Sequence, residues 1–175
     1  MQSPQDLPLP YNLLVLCTGN SARSVLAEVL INELGSGLLH AYSAGSHPAG
    51  RVNPGAIDKL ERERHAVDGL ESKSWDRFSG NDAPRTDIVI TVCDNAAGET
   101  CPVWNGSPIT VHWGIPDPAI ENAGIVETRE AFDRAYEQLR WRIEAMLALP
   151  LKKLNSAELA AALEGVHQSG RRATG

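Results

Sequence analysis

The chain has 175 residues, a net charge of −6 at pH 7 and three cysteines, and 42% of its residues are hydrophobic. That length suits one domain with a core of its own. The acidic balance argues against a general role on nucleic acid or an anionic membrane, no stretch is apolar enough to span a bilayer, and so few cysteines exclude a secreted disulfide framework. A monomer in the cytoplasm, with its thiols reduced, is the expectation. Residues 1–10 are polar and proline-rich and lack the basic and apolar segments of a secretory signal, so they read as a flexible leader. Leu13 to Leu16 is a continuous apolar run, the pattern of a strand buried on both faces. After it, Leu26, Leu30 and Leu34 recur at helical spacing until Gly35, which makes strand, loop, helix.

Leu39 to Ser43 reads as a second short strand, and Asn53-Pro54 supplies a cap and a first-turn proline for a helix carrying Ile57 and Leu60. Asp87 to Val92 and Ile109 to His112 are β-branched runs bounded by loop residues, hence a third and a fourth strand. From Thr128, the residues Phe132, Tyr136, Leu139, Ile143 and Met146 mark a long amphipathic helix that ends before Pro150. Alternating strands and helices predict an α/β fold: a single three-layer domain over residues 11–150, with a four-stranded parallel sheet and helices on both faces. Residues 151–175 form an extension with a short helix around Leu159 to Leu163 and a frayed basic end from Ser169.

The chemistry concentrates after the first strand. Cys17-Thr18-Gly19-Asn20-Ser21-Ala22-Arg23-Ser24 places five residues between a cysteine and an arginine at a strand-to-helix turn. Such a turn aims successive backbone N–H groups, together with the positive end of the helix dipole, at one point, and so binds a tetrahedral anion. Arg23 adds a two-pronged fork, and the same positive field is expected to lower the pKa of Cys17 and make it a nucleophilic thiolate.

Two further motifs follow strands and therefore reach the same sheet edge. Cys93 and Cys101 bracket a glycine-containing segment after the third strand; either thiol alone would read as a small buried apolar residue, but three at one edge suggest a disulfide relay. Asp117, between Pro116 and Pro118 after the fourth strand, is placed to protonate a leaving oxygen, although an isolated Pro-Asp-Pro more often just makes a turn. A carboxyl near a thiolate and an anion is expected to be pushed towards its protonated form. No histidines have metal-site spacing, and His112 with Cys93 and Cys101 falls short of a closed zinc site.

Residues 11 to about 148 resemble, in order and spacing, the arsenate reductases built on the low-molecular-weight protein tyrosine phosphatase fold, with its flavodoxin-like winding. The resemblance rests on the Cys17–Ser24 loop, Ser43-Ala44-Gly45, Cys93 with Cys101, and His112-Trp113-Gly114 with Asp117-Pro118-Ala119. It implies that Cys17 attacks arsenate, for which phosphate or sulfate are analogues, held by Arg23 and the loop amides. It further implies that Asp117 protonates the departing oxygen, and that Cys93 and then Cys101 carry the disulfide outwards to thioredoxin, or to glutathione with glutaredoxin. Ser24 would hydrogen-bond the thiolate and Asn20 would hold the loop. No tightly bound cofactor is implied, although relatives suggest a monovalent cation near Asn20, Ser43 and Asp76.

Three departures stand out. Ala22 replaces a cysteine found in many relatives, Ala119 replaces the tyrosine that follows the acid in the phosphatases, and seven residues separate Cys93 from Cys101 where the thioredoxin-coupled enzymes have six. The rival readings are a phosphatase working through a Cys17 phosphocysteine, with Cys93 and Cys101 as spectators, and a sensor that binds an oxyanion without turnover.

Overall fold

The computed structural model describes residues 7–173. Strand β1 (Tyr11–Cys17) lies between β2 (Leu39–Gly45) and β3 (Ile88–Thr91), with β4 (Ile109–His112) at the edge beyond β3, so the parallel sheet has the order β2-β1-β3-β4. Helix α1 (Arg23–Leu34) follows β1, α2 (Pro54–Arg62) follows β2, and α4 (Ile125–Leu147) follows β4. These match the expected strands and helices to within a few residues. Asn53 Oδ1 accepts from Gly55 N at 2.8 Å ahead of α2, and Gly35 closes α1 by donating to Ile31 O at 2.8 Å, as the capping signals require.

Leu13, Val15, Ile88 and Ile90 face one side of the sheet and share a core with residues of α1, α2, α4 and the C-terminal helix α5 (Ser156–Ala173). Leu14, Leu16 and Val89 face the other side, where Phe78 from the 3-10 turn Trp75–Phe78 and Trp104 cover them. Both faces are therefore layered, the second by a single tight turn and its loops. Burial on both sides explains why Leu13 to Leu16 shows no polar alternation.

The C-terminal extension differs from expectation. Instead of a short helix and a frayed basic end, α5 continues to Ala173, and Leu159, Leu163 and Val166 are buried in the main core. Trp113 Nε1 donates to Leu163 O at 2.9 Å, both groups buried, which ties α5 to the segment after β4. Burial of one stripe at i, i+4 and i+7 stabilises a helix whose glycines alone would disfavour it. Residues 174–175 lie outside the described residues, as do residues 1–6 of the expected leader. Of the remainder, Leu7 is not loose: it packs against the core and its carbonyl accepts from Lys152 Nζ at 2.8 Å. The segment after Cys93, expected as loop, forms the short helix α3 (Asp94–Gly98).

Candidate active site

The loop from Cys17 to Arg23 is shaped by what pulls on its carbonyls. His47 N donates to Thr18 O, Ala49 N and Ser72 Oγ donate to Gly19 O, and Asn53 N donates to Ser21 O, all at 2.8–2.9 Å. With the carbonyls drawn outward, the amides of Gly19, Asn20, Ser21 and Ala22 donate to no acceptor among the described residues. A ring of free N–H groups at the start of α1 is a site for an oxyanion. The pocket over it holds about 190 Å³ and is lined by Cys17, the loop, Arg23, Asn95, Asp117 and Ala119.

Asn20 braces the loop from beneath. It takes a left-handed conformation (φ 43°), is fully buried, and its side chain donates to Ser24 Oγ and Ser43 Oγ at 2.9 Å while accepting from Lys73 N at 2.9 Å. Ser24 thus accepts from Asn20, and among the described residues no hydrogen bond joins its hydroxyl to Cys17. The register of β1 on β2 sets Gly45 opposite Cys17, where a Cβ would lie 2.4 Å from Thr18 O. Only glycine lets the loop pass, which explains the Ser43-Ala44-Gly45 motif.

The expected cation ligands are not assembled as a set. Ser43 Oγ donates to Glu28 Oε2 at 2.8 Å, and the ammonium of Lys73 lies 3.8 Å from Glu28. Asp76 sits on the 3-10 turn Trp75–Phe78 and bonds to neither Asn20 nor Ser43. The carboxylate beside Asn20 and Ser43 is therefore Glu28, and the cation beside it is Lys73. Among the described residues no group of histidine, cysteine and carboxylate side chains is arranged to hold a metal ion. His112 spends its nitrogens on Thr91 Oγ1 (2.8 Å) and Asp94 Oδ1 (2.9 Å).

Arg23 leans towards the acid loop. Its Nη1 donates to Ile115 O at 3.0 Å and its Nη2 is 3.5 Å from Asp117 Oδ2, while its Nε is buried with no acceptor among the described residues. An orphaned buried N–H is costly, and an oxyanion seated in the loop would satisfy it. Asp117 is about half exposed and accepts from Ala119 N at 3.0 Å, an Asx turn that fixes the carboxyl over the pocket.

Cys17 and Cys93 are both buried and hydrogen-bonded to each other. All three cysteines are free thiols. Two backbone donors converge on Cys93 Sγ, Thr18 N at 3.3 Å and Ala96 N at 3.4 Å, with the Thr18 hydroxyl 3.6 Å away and the Cys17 thiol beside it. The Cys17 thiol, helped by Thr18 and Ala96, holds the Cys93 pKa down to about 5 against burial. Cys17 moves the other way, pushed well up by its hydrogen bond to Cys93 and by burial, against the attraction of Arg23. The expectation that Cys17 is the resting thiolate is therefore corrected. With the loop empty, the backbone donors face Cys93 and favour the negative charge there.

Thr18, expected only among the anion ligands, turns out to be the main contact of Cys93; its hydroxyl also lies 3.4 Å from Glu99 Oε1. Cys101 is exposed, its thiol within 3.7 Å of Glu99 O, and burial with the Glu99 charge pushes its pKa up. It lies beyond the far end of α3 from Cys93. The structure thus brings Cys17, Arg23, Asp117 and Cys93 to one pocket edge and leaves Cys101 outside. Asn95 in the pocket wall and the Ile115 carbonyl were missed from the sequence; a polar residue two positions after Cys93 was the only signal for the first.

The model of the low molecular weight phosphotyrosine protein phosphatase family matches residues 12–159. An arsenate reductase of Halalkalibacterium halodurans (strain C-125) is 33% identical over 129 residues, spanning 74% of this chain and 89% of that protein. A solved structure of an arsenate reductase from Archaeoglobus fulgidus superposes with a TM-score of 0.56 at 26% identity, covering 75% of this chain and 98% of that one. A second, of an arsenate reductase in its phosphate-binding state, gives a TM-score of 0.57 at 26% identity over 77% and 97% of the two chains. With the anion loop and the sheet order on which it stands, these matches show that the chain belongs to the low molecular weight phosphotyrosine protein phosphatase family.

Proposed function

We propose that the chain is an arsenate reductase in which Cys17, Cys93 and Cys101 supply and relay two electrons. The observation that carries this reading is the hydrogen-bonded pair Cys17 and Cys93 beside a ring of unfilled amides. A phosphatase has no use for a second buried thiol against its nucleophile. Arsenate seats on the loop amides and on Arg23, whose orphaned Nε gains an acceptor. As the anion approaches, the Cys17 proton passes along the existing hydrogen bond to Cys93, so that the thiolate faces arsenic. Attack forms a sulfur–arsenic bond, and Asp117 protonates an arsenic-bound oxygen, which leaves as water.

In the second step Cys93 returns its proton to an arsenate oxygen and its thiolate attacks Cys17 Sγ. The sulfur–arsenic bond breaks with its electron pair remaining on arsenic, which leaves as arsenite, and a Cys17–Cys93 disulfide forms. Cys101 then attacks Cys93, frees the Cys17 thiolate and leaves a Cys93–Cys101 disulfide for an external thiol donor such as thioredoxin, or glutathione with glutaredoxin. Disulfide geometry limits Cα separation to about 7 Å. Five residues of helix alone span about 7.5 Å, before the extended Glu99 is added, so α3 must unwind for this third step. Its helical residues are mostly alanine, glycine and short polar types, so little packing opposes that.

Reduced protein incubated with arsenate and no other reductant should release about one arsenite per chain, because a pair of thiols supplies two electrons. Peptide mass spectrometry should find Cys93 joined to Cys101. Cys93→Ser should abolish repeated turnover while sparing any phosphatase side activity. Phosphatase turnover with no arsenite and no disulfide would hand the site to the hydrolase reading.

A further inference from the structure

A second cleft, of about 460 Å³, opens behind the active-site wall and is lined by Asp94, Ile115, Pro116, Arg142, His167 and Arg171. Ile115 is common to both places: its carbonyl receives Arg23 while the residue lines the cleft, and Asp94 follows Cys93 directly. Arg142 is the unusual member. It is 1% exposed, yet no carboxylate lies within 4 Å of it among the described residues, in a chain of net charge −6. Its Nη1 donates to Gln138 O at 2.9 Å and its Nε to His167 Nδ1 at 3.4 Å, and Nη2 donates to no acceptor among the described residues.

The neighbours add positive charge instead of cancelling it. Arg171, exposed on α5, opposes the charge of Arg142, and burial together with Arg142 lowers the His167 pKa. Glu164, the nearest acidic residue on α5, accepts from Gln168 at 3.0 Å. The fold makes room for the guanidinium: a Cβ on Gly170 would stand 2.9 Å from Arg142 Cζ, so glycine lets α5 close over it. An uncompensated buried cation is costly by several kcal/mol, and such groups are ordinarily paired. Across the cleft, Asp94 gives one oxygen to His112 at 2.9 Å and has no donor on the other among the described residues.

We propose that this cleft binds a zwitterionic amino acid or short peptide, whose carboxylate pairs with Arg142 and Arg171 and whose ammonium faces Asp94. The volume falls in the range of small-molecule sites, and a bare oxyanion would fill little of it and leave Asp94 unmatched. A peptide carrying a thiol would rest against the residue next to Cys93. That consequence rests on the reductase reading; the binding does not.

The test is an NMR amide-shift titration of the reduced full-length protein with S-methylglutathione, a tripeptide that cannot exchange thiols, in saturating phosphate so that the Cys17 loop is filled. Saturable shifts at Gly114, His167, Gly170 and Arg171 are expected. Arg171→Glu, an exposed position, should weaken binding at least about tenfold, and Arg172→Gln, which does not line the cleft, should leave it unchanged. The diethyl ester, lacking free carboxylates, should not bind. Absence of saturable shifts at those amides, or equal affinity for the ester or for Arg171→Glu, overturns the site. Arsenite release in a single turnover is read separately, so either proposal can fail alone.

Discussion

Replacing the Cys17 thiol tests whether the two buried sulfurs share a proton. In a Cys101→Ser background the structure predicts one thiolate per chain well below neutral pH, on Cys93, whose pKa is held at about 5 chiefly by the Cys17 hydrogen bond. A hydrogen bond to a charged acceptor contributes about 1.5–3 kcal/mol, and one pKa unit corresponds to about 1.36 kcal/mol. Cys17→Ala removes that donor and should raise the Cys93 pKa by about one to two units, since the Thr18 and Ala96 donors remain. Cys17→Ser keeps a donor at the same place and should shift it less. The sign follows from the direction of donation: losing a donor to the thiolate favours the thiol, so the ionisation moves to higher pH. Ultraviolet thiolate absorbance against pH reads all three proteins directly. Identical titrations of the alanine and serine variants, or a Cys93 that ionises near an ordinary thiol value while Cys17 is present, would refute the shared proton.

Other expectations follow from single contacts. Gly45→Ala puts a Cβ 2.4 Å from the Thr18 carbonyl, and should lose most phosphate binding by calorimetry and about 1–3 kcal/mol of stability in urea. Arg23→Lys keeps the charge but loses the fork and the Nε donor, so kcat/KM for arsenate should fall about a hundredfold while circular dichroism is unchanged. Leu163→Ala, on α5, should cost about 2–5 kcal/mol in denaturant titration; a loss below about 0.5 kcal/mol would mean that the extension is not part of the core.

Much of the fold could be read from local pattern. The run Leu13 to Leu16, the caps at Asn53 and Gly35, and the long stripe from Phe132 to Met146 each carry their signal within a few residues. The extension was misread because its evidence is divided: Leu159, Leu163 and Val166 have helical spacing, but Gly165, Gly170 and the basic end suggest fraying, and only burial against β4 and α4 decides. The cation set failed for a similar reason. Asn20 and Ser43 do meet, but the carboxylate that reaches Ser43 comes from Glu28 on α1, and no local signal separates Glu28 from any other helical acid. Helix α3 was hidden because five residues cannot display a period; what fixes its start is Cys93 itself, whose sulfur accepts from Ala96 N as a cap.

That cap is also what reasoning from the Cys17 loop alone leaves out. A strand-to-helix turn with an arginine argues for a Cys17 thiolate, and every part of that turn is present. What it omits is a competitor with better donors in the empty state, supplied by a loop that arrives about seventy-five residues later and meets Thr18. The two assignments are reconciled by the anion. On the proposed mechanism, filling the loop would occupy its amides and satisfy Arg23 Nε but add negative charge beside both sulfurs, so the pair would hold one charge at a time and the proton would move as bonds form. On the proposed relay, a Cys17 that stays protonated until the anion arrives, beside a Cys93 that then resolves it, is suited to two successive attacks in one pocket and would be superfluous for one.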